Sequence, residues 1–313
     1  MAGEAEIVRQ ASATVPSRSA GVMPKVLGHG TSHVSRQVWH VDHLSEGLDM
    51  VATETALALV YNGVSHAVMM GTPTDLEDFA LGFSLTEGIL KDPKQLLDYD
   101  VVETEKGIEL SMTIASEPFA RLKHRRRSLV GRTGCGICGA ESLEVAVREP
   151  PALEDSKRAG ILTHTAIQKA AGELPSLQKF QQETGAVHGS ALCTPNGEII
   201  MVREDVGRHN ALDKLIGALA RLEAKKKERM VTGFVITTSR ASYEMVQKTV
   251  TAGIGTLAAV SAPTSLAIDL ANKTGLTLIG FLRRDRHVVY ANDWRIEMGD
   301  QIANARRNAQ TIG

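Results

Sequence analysis

The feature that most constrains this chain is the alternation of helix-like and strand-like apolar segments between residues 210 and 282. Ala211, Leu212, Leu215, Ile216, Leu219 and Leu222 recur at helical spacing on a helix that starts near Asn210. A strand over 231–238, a helix over 242–252, a strand over 256–261, a helix over 265–273 and a strand over 276–282 follow. Strands separated by helices pair in parallel, because the crossover must run back over the face of the sheet. The spacing therefore predicts an α/β fold with a mainly parallel sheet covered by helices.

In open sheets of this kind, ligands bind beyond the carboxyl ends of the strands, where helix N-termini present free amides. Three such ends are readable. The first is Thr238-Ser239-Arg240, the second Ser261-Ala262-Pro263-Thr264-Ser265, and the third Arg283-Arg284-Asp285-Arg286. Hydroxyls ahead of new helices, and three arginines at the last end, suit a phosphate group. Taken singly, each loop reads as helix caps and solvated charge.

The first half is organised differently. Ala56–Tyr61 and Val64–Met70 flank Asn62-Gly63, a dipeptide that accepts the positive φ angles of a type I′ turn, and read as a hairpin. Thr74-Asp75-Leu76-Glu77 matches a capping box, opening a helix with Leu76, Phe79, Ala80 and Phe83 on one face and Gly88 as its stop. Residues 101–114 read as one or two strands. The leader, residues 1–47, is expected to be flexible, being rich in Gly, Ser, Ala and Pro up to about Ser35, with structure beginning near Leu48. Residues 150–160, with two prolines and several charges, mark the expected boundary between a small α+β domain (48–150) and an α/β domain (151–291). Residues 292–313 are left as a tail, and Lys225–Arg229 as a solvated helix end.

The chain has 313 residues, enough for about two domains. Its net charge of −1 gives no overall bias toward nucleic acid or a membrane surface. No apolar run approaches the ~18 residues of a membrane span, and residues 1–21 lack the basic-then-apolar order of a secretory signal. Only three cysteines are present, two of them in one tetrapeptide. That count argues against a disulfide framework and for a reducing, cytoplasmic setting.

The tetrapeptide sits in Gly131-Arg-Thr-Gly-Cys135-Gly-Ile-Cys138-Gly139, and a helix can begin directly after it. Between Arg121 and Ala140 lie six Lys or Arg residues (Arg121, Lys123, Arg125, Arg126, Arg127 and Arg132) and no carboxylate. Cations and a helix N-terminus stabilise a thiolate, the reactive form of cysteine, and the same field attracts a polyanion. Three uses compete for such a pair: zinc, disulfide exchange and persulfide carriage. A structural zinc site needs four ligands, yet Cys193 has no partner motif. None of the ten histidines has Glu two residues on, and Gly134 stands where a nucleoside deaminase needs Pro. A thioredoxin-like motif would follow a first strand rather than an Arg-rich segment. A flexible Gly-flanked loop suits a carrier that visits two partners in turn.

His188 and His209 are further candidates, each readable as a structural residue or as a group that meets phosphate or transfers a proton. Glu204-Asp205 ahead of a helix can cap it or bind a cation. Cys193 reads as a small buried apolar residue.

Several segments together resemble the formate dehydrogenase accessory sulfur carriers, the FdhD/NarQ family. They are Glu54 with Val60–Gly63, Asp78–Gly88, Gly131–Gly139, Glu204–Lys214, Ser239–Glu244, Ala262–Leu266 and Leu278–Phe281, spread over about residues 48–291. One departure is Ala186, where the family pattern has a second Gly. The resemblance implies a cytidine deaminase-like three-layer domain without zinc, preceded by a smaller α+β domain. It further implies a sulfurtransferase that takes sulfur from a cysteine desulfurase as a persulfide on Cys135, with Cys138 in support. The implied acceptor is the molybdenum bis(molybdopterin guanine dinucleotide) cofactor, before its insertion into formate dehydrogenase. The family's cofactor-binding segment falls on Phe281, Leu282, Arg283, Arg284, Asp285 and Arg286. Together with Ser239, Arg240 and His209 these form the expected cofactor-binding set, directed at the guanine nucleotide part. A non-catalytic cofactor chaperone and a CxxC oxidoreductase are the alternatives, and self-association as a homodimer is left open.

Overall fold

The computed structural model describes residues 29–130, 149–153, 161–228, 230 and 233–297. The cysteine loop with Cys135 and Cys138, most of the expected domain boundary, and the segments before 29 and after 297 lie outside them.

Two expectations at the chain ends are corrected. Residues 31–52, assigned mostly to a flexible leader, form an antiparallel ribbon of β1 (Thr31–Trp39) and β2 (Leu44–Ala52). Most of the residues of β1 are exposed, so it carries no period-2 burial pattern to read. Its anchor is Gly30, over which the Phe180 ring lies too closely for any side chain. At the other end, Arg295 and Ile296 are buried, and β14 (Ile296–Glu297) pairs in parallel with β7 (Leu162–Thr163). The expected tail is thus part of the fold up to residue 297.

The hairpin is present as β3 (Thr55–Tyr61) and β4 (Val64–Gly71), with Asn62 and Gly63 both at positive φ, as a type I′ turn requires. The Asn62 amide also bonds the main chain of Ile114 at 2.7 and 3.0 Å, tying the turn to a neighbouring strand. β5 (Leu96–Thr104) and β6 (Gly107–Ile114) complete a four-stranded sheet in the order β4-β3-β6-β5, with β3 and β6 parallel. Helix α1 (Leu76–Thr86) packs Phe79 and Phe83 against Leu57, Leu59, Tyr61, Leu110 and Met112. Fully burying one such side chain contributes roughly 1.5–3 kcal/mol. The capping box does not form: Asp75 is the N-cap, makes no side-chain cap, and Thr74 Oγ1 is buried without a partner among the described residues. Glu77, the carboxylate of that box, pairs with Arg221 at 2.5 Å instead, while Arg203 lies 3.6 Å from Asp75 and bonds Asp78 at 2.8 Å. Gly88, at positive φ just past the helix, terminates it as expected. Helix α2 (Ser116–Val130) carries the start of the basic stretch.

The second half contains α3 (His164–Leu177), α4 (Lys179–Thr184), β8 (His188–Cys193), β9 (Ile199–Asp205) and α5 (Arg208–Lys226). Then come β10 (Phe234–Thr237), α6 (Tyr243–Thr251), β11 (Thr256–Ala259), α7 (Ser265–Thr274), β12 (Thr277–Gly280) and β13 (Val288–Ala291). Their sheet runs β13-β12-β11-β10-β8-β9. Only β10–β11 and β11–β12 are parallel, joined by the crossover helices α6 and α7; the other three pairs are antiparallel. The expected mainly parallel sheet is therefore a mixed one. The reason is connection length: β8–β9 and β12–β13 are joined by short links that cannot make a crossover.

Helices α1 and α5 cross so closely that a methyl group on Gly82 would overlap the Asp213 carbonyl, and one on Gly217 the Asp78 carbonyl. Around this crossing, buried Lys248 bonds Asp213 at 3.0 Å, Glu87 at 2.7 Å and Thr86 at 3.0 Å. Fully buried Lys214 pairs with Asp205 at 2.7 Å. The Lys248 bonds link the end of the small sheet's helix to the large sheet's helices through satisfied charges.

Candidate functional site

β8 is antiparallel to both β9 and β10, so β9, β10, β11 and β12 all end on one edge of the sheet. Helices α5, α6 and α7 start there; the first turns of α5 and α6 have no side-chain cap among the described residues, whereas in α7 Thr264 Oγ1 accepts from Ala267 N at 3.3 Å. The three predicted strand ends are joined side by side on this edge. Val260 N donates to Thr237 O at 2.9 Å, Ser261 N to Ser239 O at 3.3 Å, and Thr264 N to Ala241 O at 3.1 Å. Phe281 N donates to Ser261 O at 3.1 Å and Leu282 N to Ala259 O at 3.0 Å. His188 begins β8 on the same edge, where Thr238 N donates to Gly189 O at 3.0 Å.

The predicted residues contribute unequally. Ser239 is buried, its hydroxyl 3.0 Å from both Thr237 Oγ1 and the Arg240 carbonyl, whereas Arg240 is exposed. Leu282 is buried in the apolar core and offers only main chain. Phe281 is exposed and held at φ 49° beside Tyr290, a left-handed conformation uncommon for an aromatic residue. Arg283 closes a turn by donating its N–H to Arg286 O at 2.8 Å, while its guanidinium donates to Val260 O and Leu282 O at 2.6 and 2.8 Å. Arg284 lies along Gly172 of α3, and Asp285 and Arg286 are exposed. The arginine ladder is therefore graded, from Arg283, which shapes the loop, to Arg286 and Arg240, which face outward.

His209 lies in the first turn of α5, its Nε2 2.8 Å from Glu244 Oε2 and 3.5 Å from Ser242 Oγ at the start of α6. Burial pushes its pKa down to about 4, against the pull of Glu244 and with help from Arg208 and Lys248. The ring is neutral near pH 7, and because a carboxylate only accepts, its proton sits on Nε2. His188 is half-buried and shifted down, by burial first and by Arg208 second. Glu204 accepts from Phe180 N and Gln181 N at 3.0 and 2.9 Å, capping α4. Asp205 accepts from Thr72 N, Gly207 N and Asn210 Nδ2 besides pairing with Lys214. Both carboxylates thus serve as caps and braces. Cys193 is fully buried, and burial raises its thiol far above the ordinary range, so it is inert as expected.

Sequence reasoning missed Glu244 as the partner of His209. The signal was available: His209 and Asp213 on α5 and Glu244 and Lys248 on α6 share an i, i+4 spacing, so two helices can pair in two layers. The pair of His164 and His287, 123 positions apart, carried no such signal.

The FdhD/NarQ family model matches residues 52–297. The sulfur carrier protein FdhD of Cupriavidus necator is 53% identical over 276 residues, covering 88% of this chain and 92% of its own length. That of Variovorax paradoxus is 53% identical over 248 residues, 79% of this chain and 87% of its own. That of Xanthomonas campestris pv. campestris is 50% identical over 251 residues, 80% and 87% of the two chains. Among solved structures, a protein from Desulfotalea psychrophila described as a formate dehydrogenase accessory protein shares the fold, with a TM-score of 0.64 at 24% identity. The match covers 85% of this chain and 99% of that one.

Proposed function

Because the chain belongs to the FdhD/NarQ family, we propose that it is a cytoplasmic sulfur carrier for formate dehydrogenase, acting as a sulfurtransferase through a persulfide on Cys135. The observation that carries this reading is the family match over residues 52–297, inside which Cys135-x-x-Cys138 stands in its Gly-rich, cation-rich context. The curated relatives bear the name sulfur carrier protein. Among the described residues, no helix is long and apolar enough to cross a membrane.

In the loading step the Cys135 thiolate attacks the outer sulfur of a persulfide on a cysteine desulfurase. A new S–S bond forms on Cys135, the desulfurase S–S bond breaks, and the donor cysteine leaves as a thiolate. Flanking cations favour the attacking thiolate. The acceptor is the molybdenum bis(molybdopterin guanine dinucleotide) cofactor, carried as cargo. Its guanine nucleotide part docks on the carboxyl edge of the large sheet, where Arg240 and Arg286 face outward and the helix N-termini supply amides. Phe281 offers a ring face beside them, and Arg283 holds the loop in shape. The six-stranded domain, with three parallel strands at its centre, is read as cytidine deaminase-like.

The test is incubation with a cysteine desulfurase and sulfur-labelled cysteine, followed by mass analysis of the peptide containing Cys135. Label there, lost in Cys135→Ala together with maturation of the client dehydrogenase, supports transfer. Absence of label with intact nucleotide binding supports a non-catalytic chaperone instead. A reversible Cys135–Cys138 disulfide with turnover of a disulfide substrate supports an oxidoreductase.

A further inference from the structure

His164 Nδ1, in the first turn of α3, lies 2.8 Å from Nε2 of His287, which ends the loop after β12. The two rings are nearly parallel, 23° apart with centroids at 4.9 Å. We propose that this pair is a proton-controlled clasp that holds the 281–287 loop against α3 while both rings are neutral and releases it when either takes a proton. The clasp stands by itself; its bearing on ligand binding rests on the reading above that this loop docks a phosphate group.

An imidazole–imidazole hydrogen bond uses one proton, donated by one ring and accepted by the other. The remaining nitrogen of His287, Nδ1, is buried without a partner among the described residues. A buried lone pair costs less than a buried orphan N–H. His287 therefore donates through Nε2, and His164 accepts at Nδ1. A proton added to His287 creates a buried N–H with no acceptor. A proton added to His164 sets two N–H groups face to face, unless the shared proton moves over and leaves His287 Nδ1–H buried instead. Every route to the first protonation strands a donor, and opening the clasp relieves it.

The charged groups on the surrounding elements are Lys169 and Glu173 on α3, Arg283, Arg284, Asp285 and Arg286 in the loop, and Glu297 on β14, opposite Thr163. The pKa of His287 is lowered, by burial first and by His164 second. A folded-state pKa below the ordinary histidine value means that the opened form binds the proton first. The clasp is thus fully effective above the ordinary value of about 6.5 and weakens as pH falls below it, by up to about tenfold per unit. Charge alone would do the reverse, since an added imidazolium tightens anion binding as pH falls.

The amides of Phe281, Leu282 and Arg283, bonded to Ser261 O, Ala259 O and Arg286 O, report loop closure directly. Their hydrogen-exchange protection, corrected for intrinsic rates, is compared at pH 7.5 and 5.5 in the full chain and in His287→Phe, which keeps an aromatic ring but cannot ionise. Protection is expected to fall about tenfold in the unmodified chain, and to be independent of pH in the variant. Unchanged protection in the unmodified chain, or the same fall in the variant, overturns the clasp. Imidazole nitrogen shifts of the unmodified chain give a second reading: a His287 ring titrating at or above 6.5 also overturns it, even where the variant fails to fold. No ligand or sulfur donor enters these measurements, so their failure is distinct from failure of the sulfur-carrier reading.

Discussion

The crossing of α1 with α5 and α6 and the carboxyl edge of the large sheet are both rich in charge, but they handle it in opposite ways. At the crossing, Lys248, Asp213 and Lys214 are all buried, and each has an oppositely charged partner within 3.0 Å. At the edge, Arg240 and Arg286 are exposed, and helix first turns present their amides nearby. A charge enclosed by its partners holds elements together, whereas one left facing solvent beside free amides can meet a ligand. Charge count alone does not separate structure from site; burial and pairing do.

The comparison breaks first at the crossing. Replacing Gly217 by Val drives a side chain into the Asp78 carbonyl and should abolish soluble folded protein, read as loss of the cooperative melt. Lys248→Met leaves Asp213 buried with Thr86 as its remaining side-chain partner among the described residues. It should cost ~3–5 kcal/mol by denaturant titration. A cost under ~1 kcal/mol would mean that the buried pair is not what joins the helices.

At the edge the expected signature is inverted, with little effect on stability and a clear one on binding. Removing the charges of Arg283, Arg284 and Arg286 should weaken guanosine diphosphate binding at least ~tenfold, the equivalent of one charge-assisted hydrogen bond. The same change at Lys225, Lys226 and Lys227, an exposed helix end, should leave binding alone. Equal effects from the two triples would remove the distinction between edge and surface. The acid response sharpens it further. Because burial holds His209 at a pKa of about 4, its contribution to stability is complete above about 6.5 and declines as pH falls toward 4. His209→Gln should flatten that part of a stability-versus-pH curve. The smallest effect is expected in the β1–β2 ribbon, where Arg36→Ala removes an exposed ion pair to Asp49 and should cost less than ~0.5 kcal/mol.

Much of this arrangement was legible in the sequence where local chemistry determines it. Asn62-Gly63 specified its hairpin, and the apolar alternation after residue 233 specified the three parallel strands and their helices. The strand ends, read separately, proved to be neighbours because parallel strands share one carboxyl edge. What escaped was set by tertiary contacts. The ribbon at 31–52 has no buried face to impose a period, and Thr74 forms no capping box, its partner Glu77 being paired with Arg221. Leu282 and Ser239 look like ligand groups in a string of residues, yet one packs into the core and the other bonds its own loop. Pairs such as His209 with Glu244 and His164 with His287 arise only when separate helices and loops meet.

The account turns on Cys135, and one measurement addresses it most directly: the mass of the Cys135 peptide after incubation of the full chain with a cysteine desulfurase and labelled cysteine. One additional labelled sulfur, removed by a reducing thiol and absent from Cys135→Ala, is the result expected. Labelled sulfur on no cysteine of the chain, with the desulfurase active and the chain folded, would contradict it.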